Sequence, residues 1–300
     1  MKKLVLGLLL LVSTTLLFAR GEKEPALPEE GGRLGAFVSI LPQKTFVERI
    51  GGDRVSVSVM VEPGKSPATY SPTPRQVSAL GEAQVFFTIG VAFERAFLPA
   101  VQKNLKNLLI VDTSEGIEKR PIEGHDHGDE EDHGHEAEEP DPHIWMSPVL
   151  VKKQAWIIAE TLTKLDPAGA AYYRKNLESF ITNLDTLDAR LAEVLKPYAG
   201  QTIFVYHPAF GYFADRYGLK QVAIETGGKE PTPATLNEII EHAKEEGVRV
   251  IFVQPEFPAD SAAAVAAALN GSVVTVAPLA ADYFENLERL AEALAGALKP

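Results

Sequence analysis

Three hundred residues, 45% of them apolar, are enough for one large or two modest cores, and the absence of cysteine excludes a disulfide framework, a thiolate metal site, a cysteine nucleophile and a lipid-bearing cysteine. Residues 123–141 hold ten acids and no Lys or Arg, so taking that charge from the net −12 leaves −2 on the rest of the chain, a nearly neutral body. No basic patch is present for a phosphate backbone, which excludes nucleic acid as a partner.

The chain opens on MKKLVLGLLLLVSTTLLFA, a basic start and an apolar run from Leu4 to Ala19. Residues 1–19 read as an export signal, with an uncleaved membrane anchor as the other reading. A polar linker spans 20–32. From 33 to 147, short β-branched runs alternate with amphipathic stretches, the pattern of βα units on a mostly parallel sheet. Strands are predicted at RLGAFVSI, VSVSVMV, VFFTIG and LLIVDT, with helices at LPQKTFVERI, PRQVSALGEA and AFERAFLPAVQKN.

Residues 148–199 have no strand pattern. Asp166-Pro167 opens a new helix there, and Tyr173, Leu177, Phe180, Leu184, Leu187 and Leu191 recur at three- and four-residue spacing. A helix from Pro167 to Leu195 would span roughly 40 Å at about 1.5 Å per residue, long enough for a spine. A second lobe over 200–300 repeats the first, with strands at TIFVYH, QVAIET, RVIFVQP and SVVTVAP. The expected fold is α/β: two similar four-stranded lobes joined by a long rigid helix, with a cleft between them.

Four of the seven histidines, His125, His127, His133 and His135, lie in the acidic run HDHGDEEDHGHE, inside a loop spanning 123–141. Dense imidazole and carboxylate would capture borderline cations without fixed geometry; a solvated charge run is the alternative. His143 in DPHIWMSP is held between two prolines, and His207 follows the first strand of the second lobe, where open α/β sheets gather ligands. Together they favour one shared metal. His242 stands among charged helix neighbours and reads as solvent-facing.

These motifs resemble the zinc and manganese receptors of bacterial ABC importers, the ZnuA-like proteins. The likeness runs through GKSPATYSPTPRQVSAL, DPHIWMSP, VYHPAFGYFADRYGL, GKEPTPATL and VIFVQPEF in order. It implies two lobes on a rigid helix, one metal in the cleft, and delivery to a membrane permease driven by a cytoplasmic ATPase. It also implies that His143 and His207 are ligands, and that the first-lobe ligand position holds Ala68, which has no donor atom.

Zinc usually takes four ligands, so two positions need filling. Asp282 and Glu256 rank first; Glu225, Glu62, Tyr70, the loop histidines and water are the others. Asp282 has an ordinary alternative as a helix cap, Glu256 as a loop acid and Tyr70 as packing. Imidazole suits zinc, with manganese second because it normally draws more carboxylate oxygen. The expected protein is an exported, periplasmic, monomeric receptor without catalytic chemistry. A chelated-metal receptor and an exported metal-dependent hydrolase are the competitors, the latter weakened by the lack of HExxH.

Overall fold

A computed structural model describes residues 32–122, 140–225, 231–257 and 260–298. The first half runs β1 (Leu34–Val38), α1 (Leu41–Gly51), β2 (Val55–Val59), α2 (Pro74–Leu80), β3 (Val85–Thr88), α3 (Ala92–Asn104) and β4 (Leu109–Asp112). Two linking helices follow, α4 (Pro148–Leu165) and α5 (Ala170–Leu195). The second half runs β5 (Thr202–Val205), α6 (Gly211–Tyr217), β6 (Lys220–Ala223), α7 (Pro233–Glu245), β7 (Val250–Val253), α8 (Asp260–Ala268), β8 (Ser272–Thr275) and α9 (Tyr283–Ala297).

The eight predicted strands form two parallel four-stranded sheets, ordered β2-β1-β3-β4 and β6-β5-β7-β8. The shared order gives each lobe a topological switch point: between β1 and β3 in the first, between β5 and β7 in the second. The central strands are buried on both faces, as VFFT in β3 and TIFV in β5 illustrate.

The spine differs from expectation at its start. Pro167–Gly169 forms a single 3-10 turn, capped by the Asp166 side chain, and the α-helix begins at Ala170. Every predicted apolar position of α5 is buried, along with Leu195. At roughly 1.5–3 kcal/mol per buried large side chain, this stripe is a principal source of cohesion. One continuous core runs from Phe46 on α1 through Phe180 on α5 to Leu287 and Leu290 on α9. The other face of the second sheet has its own cluster around Phe204, Ile239 and Val265. Linker and lobes therefore share side chains, which fixes the strand ends facing the cleft.

Candidate metal centre

His143 is placed by a local device. The Asp141 Oδ1 accepts the His143 backbone N–H at 2.9 Å and lies 2.6 Å from its Nδ1. A 3-10 turn over Ile144–Met146 then leads into α4, whose first residue is Pro148. Trp145 anchors that turn to the second lobe: its indole N–H donates to the Pro278 carbonyl at 2.9 Å, and the Tyr283 hydroxyl donates to the Trp145 carbonyl at 2.8 Å.

His207 is placed by the sheet. Val205 pairs with Ala223 in the β5–β6 register, so the residues two positions further on, His207 and Glu225, leave the strand ends side by side. The Glu225 Oε1 lies 2.5 Å from His207 Nδ1. The Gln254 side chain, just past β7, brackets the His207 backbone, accepting from its N–H at 3.2 Å and donating to its carbonyl at 2.7 Å. Phe257 stacks on the imidazole at 4.9 Å and 24°.

The two Nε2 atoms face each other at 3.2 Å. Two nitrogens bound tetrahedrally at 2.0–2.1 Å to one zinc would stand about 3.3–3.4 Å apart. A carboxylate on Nδ1 takes that N–H as donor and leaves the lone pair on Nε2, the arrangement common behind metal-bound histidines. Two lone pairs converging at this distance repel unless something electron-poor stands between them. Burial pushes the His207 imidazolium below the ordinary histidine range, opposed in part by Glu225, so the ring stays ready as a neutral donor.

The other candidates are placed less directly. Glu256 is partly buried and precedes Phe257, which stacks on His207; burial pushes its carboxyl up, opposed by its own backbone N–H and then by His207. Asp282 stands at the N-cap of α9 without a cap hydrogen bond and pairs instead with Arg289 at 2.6 Å. Glu225 stands behind His207, with Oε1 on its Nδ1. Glu62 and Ala68 are exposed, and the Tyr70 hydroxyl is bonded to the Gln76 amide at 2.8 Å. His242 is exposed with its ring edge on Phe204. His125, His127, His133 and His135 lie outside the described residues. Among the described residues no group of three or more His, Asp or Glu is placed to hold one ion.

Two residues that hold the histidines, Asp141 and Gln254, are not among the sequence candidates. Asp141 falls within the acidic run, although an Asp two positions before a His across a proline is a local signal for an orienting carboxylate. Gln254 carried no signal beyond its place at a strand end.

The family described as zinc-uptake complex component A, periplasmic, matches residues 37–297. The high-affinity zinc uptake system protein ZnuA of Bacillus subtilis strain 168 is 29% identical over 236 residues, 75% of this chain and 72% of that protein. The manganese-binding lipoprotein MntA of Halalkalibacterium halodurans is 27% identical over 258 residues, 85% of this chain and 82% of that one. A crystal structure of ZnuA superposes with a TM-score of 0.83 at 38% identity, covering 89% of this chain and 100% of its own.

Proposed function

The chain belongs to the ZnuA family of periplasmic zinc-uptake components, and on that premise we propose that it is an extracytoplasmic receptor that captures one divalent cation, zinc first, between His143 and His207. The observation that carries this reading is the 3.2 Å approach of two Nε2 atoms whose Nδ1 partners are both carboxylates. Glu256 supplies a third donor by turning toward His207, and water completes the set. Asp282 takes no part unless it leaves Arg289.

The work of the protein is binding and release without turnover. The loaded receptor, a monomer, delivers its ion to an ABC permease coupled to a cytoplasmic ATPase. The histidines of the acidic loop, His125, His127, His133 and His135, collect ions at low affinity and pass them to the imidazole pair. An export signal over 1–19 puts the protein in the periplasm; among the described residues no helix is long and apolar enough to cross a membrane. Manganese is the second reading, supported by the oxygen that Glu256 would bring.

Isothermal titration with zinc and with manganese tests the reading on the wild type, on a variant lacking residues 123–139, and on His143→Ala/His207→Ala. One tight zinc per chain, kept without the loop and lost with the histidines, is the expected result. Tight zinc binding in the double variant contradicts it.

A further inference from the structure

The segments that carry His143 and His207 are joined by one hydroxyl. Tyr212, in the first turn of α6 and five residues after His207, accepts from the Arg120 N–H at 3.1 Å and donates to the Asp141 carbonyl at 2.9 Å. Arg120 and Asp141 run side by side next to the antiparallel bridge between Pro121 and Pro140, with the Asp141 N–H donating to the Arg120 carbonyl at 2.8 Å. A residue of the second lobe thus ties together both chain segments that lead to Asp141.

The Arg120 side chain lies along the same helix. Its Nε is 3.4 Å from Asp215, and its guanidinium carbon is 6.0 Å from the centre of the Tyr212 ring. It passes so close to Gly211 that a Cβ at that position would stand 1.4 Å from a guanidinium nitrogen, so only glycine leaves it in place. Asp141 spends Oδ1 on both the backbone and the ring of His143, while Oδ2 has no partner among the described residues. The carboxylate is therefore held in position through its main chain, and Tyr212 holds one of the two main-chain groups involved.

We propose that Tyr212 is a positioning residue: by fastening Asp141 to α6, its hydroxyl sets the separation of the His143 and His207 imidazoles and hence the fit of the pair to one cation. The inference rests on the receptor reading for its consequence, but the spacing itself is a property of the metal-free protein. Tyr212→Phe removes the hydroxyl and keeps the ring, and the Trp145 anchors to Pro278 and Tyr283 remain, so the variant is expected to fold.

Crystals of metal-free Tyr212→Phe are expected to show the Nε2 atoms further apart than the 3.2 Å of the native pair. Zinc titration should show affinity down about tenfold, as for loss of an outer-shell partner. The absorption spectrum of the cobalt(II)-loaded variant should shift, reporting altered ligand geometry. Retention of the native separation with wild-type zinc affinity, even alongside a lower melting temperature, overturns the proposal and reduces Tyr212 to a structural role. A wild-type protein that binds no zinc would overturn the receptor reading alone, because the metal-free separation still decides this one.

Discussion

On the second-lobe rim of the cleft, His207 is backed by Glu225, bracketed by Gln254 and stacked on Phe257. In the first lobe, at the ligand position that the family resemblance implies, the turn after Pro67 offers an exposed methyl at Ala68, and neighbouring Tyr70 is committed to Gln76. The same strand order underlies both lobes, so the contrast is chemical and not architectural. It teaches that one strand order, used twice in a chain, can carry a dense set of polar partners at one strand end and few at another.

The largest effect should come from the rich rim. His207→Ala removes one of two nitrogen donors and is expected to weaken zinc binding by more than about 100-fold, beyond the 10–100-fold typical of outer-shell changes. Glu225→Gln should fall within that 10–100-fold range, since it weakens the hold on Nδ1 and keeps the ring. Isothermal titration reads both; equal losses would mean that Glu225 contacts the ion itself.

The first-lobe position should respond in the opposite direction. Ala68→His restores a donor where only a methyl stands, and is expected to tighten zinc binding about tenfold, some 1.4 kcal/mol. No gain would show that this position lies too far from the imidazole pair. Glu256→Gln should cost only about threefold if water shares the remaining positions, because water can replace a single oxygen donor; competition with a fluorescent chelator resolves a change of that size.

The smallest effect is the pH dependence without metal. Burial lowers the pKa of His207 in the folded chain, so between that value and about 6.5 the unfolded chain binds more protons. Stability of the metal-free protein should therefore be full above about pH 6.5 and fall as the pH drops below it. His207→Gln should flatten that part of the profile in urea titrations; an unchanged slope would show that His207 is not its source. Zinc affinity should hold to lower pH than this and fall only as the pH passes through the depressed value of the folded His207 ring, where the proton and the ion compete for it.

The strands, the apolar face of α5 and the two central histidines were legible because each depends on local periodicity or on a motif. Gln254 was not, and Glu225 was legible only as a candidate donor and not as a partner of His207 Nδ1, because both relations come from the register of β6 and β7 against β5, which links residues 18 and 47 positions away. Asp141 was hidden by its neighbours: ten acids in one stretch read as a single solvated run, and the proline-set turn that withdraws this one to 1% exposure is a matter of tertiary burial. Asp282 is at the N-cap position that its place ahead of a helix suggests, but its carboxylate makes no cap hydrogen bond and pairs with Arg289, two turns along α9.

The most direct test is a crystal of the zinc-loaded protein with data at the zinc absorption edge. One anomalous peak is predicted between the rings, with the Nε2 atoms of His143 and His207 each about 2.0–2.1 Å from it. A zinc ion bound elsewhere, with the two rings still facing each other at their metal-free separation, would contradict the account.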